Sequence, residues 1–361
     1  MKILMDIAHP AHVHVVRNAY FELIKRGHKV YVTVKSIPSA IALLEKYQIP
    51  YIYLGGKRDS LRGKAILQLM YNFKIWWLVV TKGINLSFSS SITPPHISRI
   101  SKLDSIIFDD DDDAVEPLFV KYGHPYADVV LSPVCAIRAT KKAIPYAGYH
   151  ELAYLHPNKF TPDPSVLEEI GLKQDEIFFV MRFNAFKAHH DVGVEGLSIE
   201  NKRKLISILE KKGKVFITTE RNIDEEFKKY QLLLSPEKIH SLLYYANMLI
   251  GDSQTMTSEA AMLGTPSIRC NTFVGRISYL EEEEHKYNLT YGFLPSDSEA
   301  MFAKIIELLG TSDIKIIWKE RRLKMLKDKI DVTAFYVWFI ENYPESAKVM
   351  KENPDYQYVF K

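Results

Sequence analysis

Short apolar runs alternate with amphipathic stretches along most of the chain. Ile3, Leu4, Met5 and Ile7 form a first apolar run, and residues 13–25 then carry Val16, Tyr20, Leu23 and Ile24 at helical spacing. Gly27 stands where a residue just past a helix is expected, and the β-branched run 30–34 reads as the next strand. The same alternation predicts helices over 39–47 and 65–82, and strands over 51–54, 86–91, 105–108 and 128–132. From 145 to 164 it lapses into Pro, Tyr, His and Gly, which marks a linker. It resumes with strands over 177–181, 215–218, 248–250 and 267–269 and helices over 200–211, 239–246 and 258–263, and becomes mostly helical from about 298. Strand–helix–strand repetition implies parallel sheets with crossover helices. The expected fold class is therefore α/β, with two parallel-sheet domains. Ligands in such folds bind beyond the carboxyl ends of the strands, often in a cleft between domains.

Composition narrows the classes. The 361 residues suit two domains of roughly 100–200 residues each. A content of 47% hydrophobic and 25% charged residues excludes a disordered chain or a fibre. Lys plus Arg is 47 and Asp plus Glu is 44, too even a balance to predict nucleic-acid binding. Two cysteines, Cys135 and Cys270, make neither a disulfide framework nor a zinc cluster. Residues 65–80 are interrupted by Gln68, Asn72 and Lys74 and are too short to span a bilayer; the first residues lack a signal-peptide core, which reads as cytoplasmic. Aromatics, at 12%, are out of line. Three of them, Phe73, Trp76 and Trp77, interleave with Lys57, Arg58, Arg62, Lys64, Lys74 and Lys82 against Asp59 alone. That mixture over 57–82 suits peripheral contact with the inner face of an anionic membrane; the alternative is a core helix with a basic start.

Several groups can carry chemistry. Between Ile250 and Pro266 a strand ends, small hydroxylated residues fill a turn, and a helix begins near Thr257 and stops at Gly264. Unpaired N–H groups at a helix start suit a phosphate, Ser253, Thr255 and Thr257 add hydroxyls, and Glu259 can accept from a ribose. Ordinary capping by Ser and Thr is the alternative. Arg182 follows a strand, where its fork matches phosphate oxygens. His189 and His190 lie in the loop beyond; as neighbours they do not converge on a metal, and no third ligand is evident. The loop after the first strand is dense in histidine. His12, then His9 or His14, can serve as a base, and Asp6 can orient one of them. The run Asp109, Asp110, Asp111, Asp112, Asp113 follows a strand; it reads as a solvated loop or as recognition and an alternative base. His150 and Glu151 fall at the domain junction, and residues 281–284 read as a solvated helix face.

The segment from Gly251 to Pro266 resembles the donor-binding signature of GT-B enzymes. It is similar in particular to the UDP-N-acetylglucosamine 2-epimerases and to the transferase that adds N-acetylglucosamine to the lipid-linked cell-wall precursor. The whole chain resembles a family of GT-B-like proteins from archaea and bacteria known mainly by its fold. The shared features are Asp6-Ile7-Ala8-His9-Pro10-Ala11-His12-Val13-His14, Arg26-Gly27-His28, Gly148-Tyr149-His150-Glu151-Leu152-Ala153-Tyr154-Leu155, and Thr255-Met256 through Pro266.

The resemblance implies a GT-B fold: two Rossmann-like domains, over 1–160 and 161–334, with parallel sheets facing across a cleft, and a segment 335–361 crossing back to the first. It implies a nucleotide-sugar site on the second domain, built from Asp252, Ser253, Gln254, Thr255, Met256, Thr257 and Glu259, with Arg182, His189 and His190. The acceptor side falls to His14, Asp109, Asp111 and Glu151, and the catalytic roles to His12, His9, Asp6 and Asp110. No cofactor and no metal are expected. The function implied is a metal-independent glycosyltransferase using a nucleoside-diphosphate sugar, of the UDP class, on a glycan or lipid-linked acceptor in surface polysaccharide or glycoconjugate synthesis. A UDP-sugar 2-epimerase or hydrolase, or a non-catalytic nucleotide-sugar-binding protein, is the alternative. The epimerase turn carries paired glycines and a Gln-Glu-Glu run, where this chain has Gln254-Thr255 and Thr257-Ser258-Glu259. That departure counts against epimerase chemistry more than against donor binding.

Overall fold

Residues 1–56, 60–183, 196–219 and 223–361 are described in the computed structural model, with 61 and 62 described by backbone alone. They form two units. The first comprises Met1–Lys159 and Lys329–Lys361. Its elements run β1 (Lys2–Ile7), α1 (Pro10–Lys25), β2 (Lys29–Val34), α2 (Pro38–Lys46), β3 (Tyr51–Tyr53), α3 (Leu61–Lys82), β4 (Leu86–Ser89), α4 (Thr93–Ser98), β5 (Asp104–Phe108), α5 (Pro117–Tyr122), β6 (Val129–Pro133), β7 (Ala143–Tyr146) and α6 (Leu152–Leu155). The sheet has the order β3-β2-β1-β4-β5-β6-β7. Every pairing is parallel, with Lys2 opposite Lys29 and Ile3 opposite Leu86. Ile3, Leu4, Met5 and Ile7 are all buried. A parallel sheet covered on both faces requires such a continuous apolar run rather than an alternating one.

Each expected strand is present, and two were not expected: β7, in the stretch expected to be a linker, and a strand over Thr290–Phe293 in the second unit. Residues 145–159 belong to the first unit. Pro145 pairs with Ser132, and Tyr146, Tyr149 and Tyr154 are buried. Pro145 is tolerated because β7 is the sheet edge, where one row of backbone groups has no ladder to complete. At Gly148 a Cβ would come 2.4 Å from Val332, so only glycine lets the chain lie this close. Pro and Gly here are therefore packing choices, although their composition reads as a break. Helix α3 begins at Leu61, earlier than expected, because Ser60 caps it by accepting from Gly63 N at 3.1 Å.

The second unit is Phe160–Asp328. It holds α7 (Ser165–Glu169), β8 (Phe178–Phe183), α8 (Ile199–Leu209), β9 (Lys214–Thr219), α9 (Ile239–Tyr245), β10 (Met248–Gly251), α10 (Gln254–Leu263), β11 (Ser267–Cys270), α11 (Ser278–Glu281), β12 (Thr290–Phe293), α12 (Ser298–Leu309) and α13 (Ile314–Asp328). Its parallel sheet has the order β12-β11-β10-β8-β9. A Cβ on Gly251 would meet the Arg182 carbonyl oxygen at 2.1 Å, so the β10 end can approach β8 only as glycine. The glutamates at 281–284 are not a solvated face. Arg269 on β11 is fully buried, and Glu281 meets its Nη2 at 2.8 Å, while Glu283 is itself fully buried and accepts from Ser258 Oγ at 2.6 Å. A buried guanidinium needs carboxylates, and these supply them.

The chain then rejoins the first unit through α14 (Val332–Glu341) and α15 (Glu345–Glu352). The return begins at Lys329, ahead of the expected 335, because Ile330 N donates to Ala147 O and Asp331 caps α14 through Ala334 N. Tyr336 of α14 donates to the Tyr146 hydroxyl over 2.8 Å, and its ring lies 4.9 Å from Phe88, which in turn lies 4.9 Å from Phe108. Part of the aromatic excess is this stack. Among the described residues no helix is long and apolar enough to cross a membrane.

Candidate functional site

The carboxyl ends of β1, β5 and β7 bring together groups far apart in sequence. His150, after β7, places Nδ1 3.1 Å from Oδ1 of Asp110, which follows β5. The His150 ring stands edge-on to Phe108 at 5.2 Å, and His12, in the first turn of α1, stands edge-on to the same ring at 5.6 Å. His9 lies 5.8 Å from His12. Among the described residues His150 Nε2 and His12 Nδ1 are buried without a hydrogen-bond partner. Burial pushes the His12 imidazole well below its ordinary 6.5; His9 and His150 add to that, and Asp110 opposes it. Burial would raise the Asp110 carboxyl, but His150 beside it and hydrogen-bonded to it holds it below the usual carboxylate range. Asp111 is pushed well above that range by burial, then by Asp110, Glu116 and Asp109. Glu116 is pushed up to about 7 by burial and by Asp109 and Asp110.

The other expected residues of this unit serve different ends. Asp6 is buried within the sheet and accepts from Thr33 Oγ1 at 2.6 Å; among the described residues it orients no histidine. His9 is exposed and caps α1, accepting from Ala11 N at 3.3 Å. His14 faces inward: its Nδ1 lies 3.3 Å from the Tyr47 hydroxyl and its ring 5.3 Å from Tyr154, so it is a packing residue. Glu151 is buried at the start of α6. Nor is the aspartate run a solvated loop. Asp109 is buried, 2.8 Å from His124 Nε2 and 3.0 Å from Arg138 Nη2. Asp113 accepts from Arg138 Nη1 and Ala139 N, and Asp112 accepts from Ile137 N. Buried carboxylates require cations and amides, and the loop after β6 supplies them. Asp110 is left to His150.

On the second unit, α10 starts at Gln254 rather than near 257, because Ser253 is its cap and accepts from Met256 N at 3.3 Å. Thr257 Oγ1 donates back to Ser253 O at 2.7 Å. Two of the three hydroxyls expected at a diphosphate, those of Ser253 and Thr257, are thus engaged within the helix start. Met256 is buried, and Asp252, also buried, is fixed through its backbone by Arg182 O and Asn271 Nδ2. What the turn offers outward is half-buried Gln254 and Thr255, whose N–H groups a helix start leaves without intrahelical partners. Arg182, at the end of β8, donates to Thr218 Oγ1 at 3.3 Å. Glu259 is buried with Oε1 2.9 Å from His240 Nε2, a core pairing rather than an open ribose contact. His189 and His190 lie outside the described residues, as do Lys57, Arg58 and Asp59.

Sequence reasoning did not find Arg138, His124, Glu116, Arg269 or His240. A run of five aspartates is itself a signal, since some must find cations if the loop is buried. Among the described residues no group of three or more His, Cys, Asp or Glu is arranged to hold a metal ion.

Residues 1–289 match the family model described as "Protein of unknown function (DUF354)". The chain belongs to the DUF354 family. Its structure is similar to that of S. aureus MnaA solved with UDP (TM-score 0.69, 10% identity, 96% of this chain and 97% of that one). It is similar to a putative UDP-N-acetylglucosamine 2-epimerase from Listeria monocytogenes (TM-score 0.63, 12% identity, 88% and 90%). It is also similar to the spinosyn rhamnosyltransferase SpnG complexed with spinosyn aglycone (TM-score 0.63, 11% identity, 95% and 100%). At these identities the likeness shows the fold, which is GT-B, with two Rossmann-like parallel-sheet domains.

Proposed function

We propose that this DUF354 chain is a GT-B glycosyltransferase that uses a nucleoside-diphosphate sugar of the UDP class. Its place is in the synthesis of a surface polysaccharide or glycoconjugate. The observation that carries the reading is the Asp110–His150 pair, in which a carboxylate holds Nδ1 while Nε2 is bare and buried beside His12. A base oriented by a carboxylate is what an acceptor hydroxyl needs. The acceptor oxygen attacks C1 of the sugar, and its proton passes to His150 Nε2. The bond from C1 to the phosphate oxygen breaks, and the nucleoside diphosphate leaves with the electron pair. Asp110 stabilises the imidazolium so formed. His12, kept neutral by burial, is a poorer base but a hydrogen-bond partner for the acceptor. Taken by itself, the second unit offers the α10 start and Arg182 as groups that suit a diphosphate, so the reading calls on no metal. The fold likeness to proteins solved with UDP or named for UDP-N-acetylglucosamine supports the donor class.

Glu116 and Asp111, both raised, favour a second reading as a UDP-sugar 2-epimerase or hydrolase, because protonated carboxyls can serve as acids around C2. NMR of UDP-sugars incubated with the protein, with and without glycan or lipid-linked acceptors, separates the two. Acceptor-dependent UDP release is expected. Epimerised sugar without an acceptor would establish the second reading, and tight binding with no turnover would make the chain a nucleotide-sugar-binding protein.

A further inference from the structure

Helix α3 has two apolar faces. One enters the core of the first unit through Tyr71, Ile75, Leu78 and Val79, with Leu67 and Trp76 packed against it. The other is made of Ile66, Leu69, Met70, Phe73, Trp77 and Val80, which are 37–69% exposed. At about 100° per residue these six fall within an arc of roughly 100°. They present on the order of 600 Å² of apolar surface, at the upper end of what a soluble monomer leaves uncovered and the mark of an interaction site.

Charge selects the partner. Over Leu61–Lys82 the helix carries Arg62, Lys64, Lys74 and Lys82 and no acid. Lys82 is exposed, and Lys74 flanks the apolar arc with its ammonium on the Leu54 carbonyl. A second copy docked face to face would bring the Lys74 that borders each arc against a helix with no acid to receive it. An anionic lipid surface takes both features at once: acyl chains receive Phe73 and Trp77, and headgroups receive Lys74, which borders the arc, while Lys64 and Lys82 fall about 170° from its centre.

We propose that the exposed face of α3 seats this chain on an anionic lipid bilayer, lying in the plane of the interface. The argument stands on this helix alone and is independent of the reaction assigned above. Flotation with vesicles tests it. The full chain is expected to float with phosphatidylcholine vesicles containing phosphatidylglycerol, far less with phosphatidylcholine alone, and less as salt rises. The double variant Phe73→Ser/Trp77→Ser is expected to lose at least about tenfold in partitioning. Acyl-brominated lipids are expected to quench the wild-type tryptophan fluorescence. In Trp77→Phe, which keeps the apolar face, flotation persists and the quenching falls. Three results overturn the proposal: no flotation with anionic vesicles, flotation that the double variant leaves unchanged, or a solution dimer that the double variant dissociates. The last would assign the face to a second copy. Loss of donor turnover in any of these variants bears on the reaction and leaves the vesicle result as it is.

Discussion

Replacing Asp110 by Asn removes a charge from the acid–base pair and little else. The side chain keeps its size, and the amide oxygen can still meet His150 Nδ1. In the wild type that contact is 3.1 Å, with both side chains largely shielded from water. At a charge separation near 4 Å and an effective dielectric of about 20, the carboxylate stabilises an imidazolium by roughly 4 kcal/mol. An amide dipole retains about half of that, so a transition state with the acceptor proton on His150 loses about 2 kcal/mol. At about 1.4 kcal/mol per tenfold, kcat is expected to fall about 30-fold. The donor is recognised by other residues, so KM for the nucleotide-sugar is expected to stay within about twofold. The fold should tolerate the change. Asp110 is one of the groups that push Asp111 and Glu116 up, and its neutralisation relieves both. The assay is initial-rate UDP release on a turned-over donor, with a thermal melt of the same preparation. A variant that melts normally and keeps its kcat within about threefold of wild type refutes the pairing. So does a loss carried by KM.

Protonation should act on stability in opposite directions at two sites. His12 is depressed below 6.5, so the unfolded chain takes up its proton first as pH falls; stability from this group is lost below about pH 6.5, and His12→Gln is expected to flatten that decline in urea titrations between pH 7.5 and 5.5. Glu116 is raised from 4.5 to about 7, so the folded chain holds the proton more tightly; stability falls as pH rises through 7, and Glu116→Gln is expected to add up to about 3 kcal/mol at pH 8. An unchanged or lower midpoint there counts against a protonated Glu116. Arg138→Ala strands Asp109 and Asp113 and is expected to cost about 3 kcal/mol or more, read as a fall in the denaturation midpoint with the slope unchanged.

Most strands and helices were legible because each is long enough to show its period, as in β1 and α1. The failures at 145–159, at 281–284 and in the aspartate run share one cause. At 145–159 and 281–284, local composition spoke for solvent or linker while partners elsewhere in the chain buried the segment. Pro145 is admitted by an edge position, Glu283 by Ser258, and Asp109 by Arg138 and His124. None of those partners stands at a spacing that a periodic pattern carries. The histidine-dense loop was legible as the loop at the carboxyl end of β1. Which ring faces a carboxylate depended on where β7 ends, and β7 was unseen. The turn before α10 was legible as a helix start, but the direction of its hydroxyls is set by capping, which uses Ser253 and Thr257 internally.

The Tyr146–Tyr336 pair and the rings of Phe88 and Phe108 have a consequence for how the protein is made. Phe108 is the wall against which both His12 and His150 stand, and Tyr336 lies 6.3 Å from it. On the ribosome the histidines and Asp110 emerge early, while the tyrosine that backs their wall emerges only after the whole second unit has been synthesised. Domains ordinarily fold as they appear. Here the edge of the first unit that α14 covers stays open until then, and Phe108, beside His12 and His150, lacks Tyr336 behind it. A chain cut before Val332 would keep every proposed catalytic group and still lack the ring behind their wall.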